Sequence, residues 1–146
     1  LTTKQFNDDV RRWLAPGGMY LVNLIDGYKH DFVRSFAHTL QQSFRHVYVA
    51  PCSTNWREDS RMTYVVVATD VELDMTALAS VQTGLGDPQL ATYLLDQPTR
   101  DALLTEAPPV LITDDFAPVE QMLAPMARDE KPRVTSQPTP TPNVTW

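Results

Sequence analysis

Met19-Tyr20-Leu21-Val22-Asn23-Leu24-Ile25 is the stretch on which the fold turns. It is a nearly continuous apolar run, not an alternating one. Such runs belong to strands buried on both faces, usually parallel and central in their sheet. Pro16-Gly17-Gly18 turns the chain into it and Asp26-Gly27 closes it. Downstream, Phe32, Val33, Phe36, Ala37, Leu40 and Phe44 recur at helical spacing and predict an amphipathic helix over about 29–43. Val47-Tyr48-Val49-Ala50 then reads as a short strand ended by Pro51. Strand, helix, strand in this order is a βαβ-type unit, with the 19–25 and 47–50 strands parallel.

Working outward, Thr2-Thr3-Lys4-Gln5 fits a capping box with Thr2 as N-cap. Phe6, Val10, Trp13 and Leu14 follow as one apolar stripe, which predicts a helix over about 3–14. Residues 51–62 are polar without a period and read as a loop. Thr63-Tyr64-Val65-Val66-Val67-Ala68-Thr69 is the most strand-prone segment. With the 47–50 strand it forms an antiparallel hairpin at the edge of the sheet. Asp74 can cap a short helix over 75–82, and Asp87-Pro88 can open another reaching about Leu95. Val110-Leu111-Ile112 suggests a short strand. Thr113 or Asp114 can cap a helix of about 116–124, stopped by Pro125. From Arg128 onward prolines at 132, 138, 140 and 142 predict a disordered tail, leaving one partial domain over 1–127.

Composition bounds the function. Of the 146 residues, 42% are apolar and 21% charged, which is globular. No stretch reaches the roughly 18–20 apolar residues of a membrane span. The lone Cys52 excludes an internal disulfide framework and a cysteine-cluster zinc site, and agrees with a reducing, cytoplasmic location. Charge is uneven: residues 70–127 carry 1 Lys/Arg against 10 Asp/Glu, within a net charge of −6. A phosphate-binding basic patch is therefore missing, which argues against a nucleic-acid partner, while cationic ligands are favoured.

A strand buried on both faces needs neighbours on both sides. The segments found supply about three strands and one crossover, so one side of the 19–25 strand is left bare. The expectation is therefore a piece of a larger α/β domain, its bare edge covered by a missing N-terminal half or by a second copy in a homo-oligomer.

Leu14-Ala15-Pro16-Gly17-Gly18 before a strand ending Val22-Asn23-Leu24-Ile25-Asp26 resembles the second half of a class I S-adenosylmethionine-dependent methyltransferase fold. Val47-Tyr48-Val49-Ala50-Pro51 and Leu111-Ile112-Thr113-Asp114-Asp115-Phe116-Ala117-Pro118-Val119-Glu120 sharpen this to the spermidine synthase-like proteins, including forms fused to a transporter-like membrane region. The resemblance covers about residues 1–125. It implies the C-terminal half of a Rossmann-like methyltransferase fold, a parallel strand plus an antiparallel edge hairpin with flanking helices. It also implies aminopropyl or methyl transfer to a polyamine or other small amine acceptor. The donor, S-adenosylmethionine or its decarboxylated form, would be held upstream, because no Gly-rich strand-turn-helix occurs here. Gly84-Leu85-Gly86 follows a predicted helix and reads as its cap and turn. Against the family's Gln-x-Glu-like pair after the fifth strand, Asn23 matches the first position and Asp26 approximates the second. Pro51, Cys52 and Trp56 only partly echo its edge-hairpin loop.

Four residues are candidates for holding substrate. Asn23 and Asp26 lie at the carboxyl end of a parallel strand, where open α/β sheets bind ligands. A carboxylate there can pair with an ammonium, or can merely make the turn and cap the next helix. Asp114 and Asp115 can reach a cation or simply cap the last helix. His30, His38 and His46 are spaced by eight, not as a helical metal pair, and read as surface histidines. No catalytic residue is legible, and a non-catalytic dimerisation or docking module is the alternative function.

Overall fold

The computed structural model describes residues 1–81 and 90–128. Helix α1 spans Lys4–Trp13, strand β1 Met19–Gly27, helix α2 Asp31–Gln41, strand β2 His46–Pro51 and strand β3 Arg61–Thr69. Helices α3 (Met75–Ser80), α4 (Gln97–Thr105) and α5 (Val119–Ala127) follow, with a 3-10 turn over Leu90–Tyr93. The Gly84-Leu85-Gly86 turn, the Asp87 cap and the tail beyond Arg128 lie outside the described residues.

The sheet order is β1-β3-β2. β3 is antiparallel to both neighbours, pairing Asn23 with Val65 on one side and Val49 with Val66 on the other. β1 and β2 therefore run in the same direction, joined by α2, but they do not pair: β3 is inserted between them. The expected hairpin of β2 and β3 forms, with β2 rather than β3 at the edge. The burial of each strand gives the reason. In β3, Tyr64, Val66 and Ala68 are fully enclosed on one face, and Val67 and Thr69 are also buried on the other. In β1 only alternate residues turn inward, while Met19, Leu21 and Ile25 remain 49%, 59% and 37% exposed. The continuous apolar run of β1 thus describes a strand that this chain covers on one face only.

The core lies between the sheet and α2. Val33, Phe36, Ala37 and Leu40 are fully buried against Val49, Tyr64 and Val66. α1 begins one residue later than the capping box suggests. Thr3, not Thr2, is the N-cap, accepting from the Phe6 N–H, and Gln5 instead accepts the Asp114 N–H through its side chain. The 110–112 segment does not become a strand. Val110 N–H donates to Ser35 Oγ and Ile112 N–H to Thr39 Oγ1, so hydroxyls on α2 take the place of a ladder. Asp74 does cap α3, accepting from Thr76 and Ala77. The last helix starts later than predicted and contains Pro125, because neither Thr113 nor Asp114 caps it. Thr113 instead closes a tight turn with Phe116.

Candidate functional site

Around the carboxyl end of β1 lie the most perturbed titratable groups among the described residues. Asp26 is 1% exposed. Its carboxylate accepts from the Gly27 N–H and the Val33 N–H, both at 2.7 Å, and so ties the end of β1 to the first turn of α2. Burial dominates over these hydrogen bonds and pushes its pKa up to about 6. The carboxylate therefore titrates just below neutrality.

His30 follows at the N-cap of α2 in a left-handed conformation, φ 55°. Non-glycine residues rarely adopt it, and it turns the imidazole inward. The expected surface histidine is thus a correction: His30 is buried, its ring 5.1 Å from that of Trp56 and 6.2 Å from that of Tyr64. Trp56 and Tyr64 close the triangle at 6.3 Å, edge to face. His30 Nε2 and Tyr64 Oη are buried with no hydrogen-bond partner among the described residues. Burial drives the His30 pKa below its ordinary value, so the ring is neutral at pH 7. Burial, helped by the Asp26 charge, raises that of Tyr64.

Two arginines frame this box differently. Arg34 is 3% exposed and fully engaged: Nε donates to the Leu103 carbonyl, one amino group to Asp31 and the other to the Lys29 carbonyl. Arg57 is half exposed and lies 4.2 Å over the Trp56 ring. Its remaining contact is a long ion pair, 3.6 Å, to Glu106 at the end of α4, which Arg34 also approaches at 3.7 Å.

The four predicted substrate residues are not brought together. Asn23 and Asp26 are three positions apart on a strand, so they point to opposite faces. Asn23 is exposed on the outer face while Asp26 is sealed under α2. Asp114 and Asp115 sit on the exposed turn before α5, near the start of α1 rather than beside Asp26. His30, Tyr64, Arg57 and Glu106 carry no motif that marks them as site residues in the sequence. The signal for His30 is its position three residues after Asp26-Gly27, where a turn must rise into a helix.

Two grooves adjoin β1. One, about 440 Å³, lies on the outer sheet face, lined by Leu21, Val65, Val67, Leu73, Leu78 and Tyr93, with the exposed Cys52 thiol at its margin. The other, about 420 Å³, runs along the free edge of β1 between Val22–Ile25 and Leu123 and Met126 of α5. No described helix is long and apolar enough to cross a membrane, and no group of three or more potential metal ligands occurs among the described residues.

No protein-family model and no curated protein matches the chain. Among solved structures, a probable spermidine synthase from Corynebacterium glutamicum ATCC 13032 superposes with a TM-score of 0.60 at 22% identity. The match covers 80% of this chain and 42% of that one. The chain has a spermidine synthase-like fold. It spans less than half the length of the protein it matches.

Proposed function

We propose that this chain is the acceptor-side portion of a spermidine synthase-like transferase. Its chemistry would be the transfer of an aminopropyl or methyl group from an S-adenosylmethionine-type donor to a small amine. The observation that carries the reading is the end of β1. In a fold shared with a probable spermidine synthase, it places a buried carboxylate beside an aromatic box, where α/β sheets receive ligands. The donor does not fit the residues described. The turn from β1 into α2 holds a single glycine, Gly27, and a Cβ there would meet Met126 at 3.4 Å, so it offers no open Gly-rich cradle. We therefore assign the donor-binding part to a portion of the protein other than the residues described, docked along the free edge of β1.

Within this reading the residues divide the work. Asp26 does not touch the acceptor, because it is sealed beneath α2; its charge holds negative potential at the end of the strand and favours an ammonium nearby. His30, neutral and unpaired at Nε2, is placed to accept a proton from an incoming amine. Holding the acceptor in line with the donor is the remaining contribution.

Titration calorimetry tests this. Putrescine is expected to bind weakly and to be released by salt, and S-adenosylmethionine to give no saturable isotherm. A one-to-one donor isotherm in the micromolar range would overturn the placement of the donor site elsewhere. Absence of any amine binding would overturn the acceptor assignment. The second reading, a non-catalytic docking or dimerisation module, is favoured by one observation, the uncovered edge of β1.

A further inference from the structure

We infer that Arg57 is an internal occupant of the acceptor's cation site, a guanidinium standing where a substrate ammonium would bind. This rests on the amine-acceptor reading and adds a gating residue to it.

The site holds a cation already. The Arg57 guanidinium lies 4.2 Å over the face of Trp56, inside the range in which a ring quadrupole attracts positive charge. The Glu106 carboxylate stands 3.6 Å from the same group. An aromatic face and a carboxylate converging on one point are what a primary ammonium requires. The position also borders the His30 ring, whose titration is sensitive to the charges of both Glu106 and Arg57. An ammonium in the place of the guanidinium would lie on the rim of the box that holds the unpaired His30 Nε2 and Tyr64 Oη.

Arg57 is held in the manner of something displaceable. It makes no hydrogen bond among the described residues, and its one ion pair is long and half exposed, a class worth little in water. Arg34 approaches the same carboxylate but is buried, with all three of its donor groups committed, so it fixes the surroundings and stays when Arg57 leaves. Glu106 would exchange one cation for another and never lose its partner. The free chain is thus self-blocked, and a diamine binds only by displacing the side chain.

The 146-residue chain carries tryptophans at 13, 56 and 146. Replacing Trp13, which is 73% exposed, and Trp146 by Phe leaves Trp56 fluorescence as the reporter for a putrescine titration. Arg57→Ala is expected to bind putrescine about tenfold more tightly than the parent, and adding Glu106→Gln to cancel that gain. Arg57→Ser, which clears the ring while supplying a small polar side chain suited to an exposed loop, is expected to behave as Arg57→Ala and covers the case in which alanine unfolds the loop. Equal putrescine affinity in the parent and both Arg57 variants would overturn the gating role while leaving the amine reading intact. No binding by any folded variant would overturn both.

Discussion

Asp26 shows how one residue reads differently in sequence and in space. Its position after an apolar run marks it as the end of a strand, and that is where it lies. Its burial was not legible, because it depends on α2 closing over it. The consequence is a pH dependence with a definite sign. The folded pKa, about 6, stands above the ordinary 3.8, so protonation favours the folded chain. This stability is fully present below about 3.8 and lost as pH rises through 6. A two-unit difference corresponds to roughly 2–3 kcal/mol. His30 acts oppositely: its lowered pKa contributes stability above 6.5 that is lost as pH falls through the folded value. Urea denaturation of the parent and Asp26→Asn at several pH values separates the two. The stability gap in favour of the parent is expected to widen as pH falls from 8 to below 5, by roughly 2 kcal/mol. A gap that stays constant with pH would show that the carboxylate does not titrate in this range.

At the scale of elements, the sequence located helices and strands better than it located their partners. α1, β1, α2, β2 and β3 all occur where periodicity and apolar runs put them, since these signals are local. The insertion of β3 between β1 and β2 is a long-range choice that neither strand's own pattern contains. Helix α4 was missed although Asp96 and Pro98 mark its start, with Asp96 accepting from the Thr99 N–H. Two helices carry residues at odds with their surroundings, and both give predictions. Asn7 in α1 is fully buried with neither amide atom paired among the described residues. Asn7→Ala removes that penalty and improves helix propensity against a small loss of packing, so it is expected to stabilise the chain by about 1 kcal/mol. A destabilised variant in urea would mean that the amide is satisfied by bound water. Pro125 within α5 has no N–H to give the Gln121 carbonyl its usual donor, while the Arg128 N–H bonds the Ala124 carbonyl at the helix end. Pro125→Ala is expected to raise the melting temperature, and an unchanged or lower value would show that the proline ring's packing outweighs the lost hydrogen bond.

At the scale of the whole molecule, the two edges of the sheet are treated differently. β2 is shielded by the chain itself: the Leu95 N–H donates to the Val49 carbonyl, Arg100 donates to the Val47 carbonyl, and Pro51 ends the strand. These are the devices by which proteins prevent strands from recruiting strangers. β1 has none of them. It runs nine residues without proline, its one charge is the inward Asp26, and its outer-face neighbours Met19, Leu21 and Ile25 are exposed beside the open edge. Its backbone groups facing away from β3 have no partner among the described residues apart from those at Gly27. An edge so long and apolar is either covered in the working protein or pairs with whatever is present. The chain on its own is therefore expected to self-associate through β1, with a sedimentation coefficient that rises from micromolar to submillimolar concentration. Leu21→Lys puts a charge on that edge at a site already 59% exposed, so it can suppress association without disturbing the core. Hydrogen exchange adds a second reading: the outward amides of β1 are expected to become protected with concentration while those of β3 are protected throughout. A chain that stays monomeric at every concentration, with β1 amides exchanging freely, would show that the edge is protected by features of the sequence beyond the described residues.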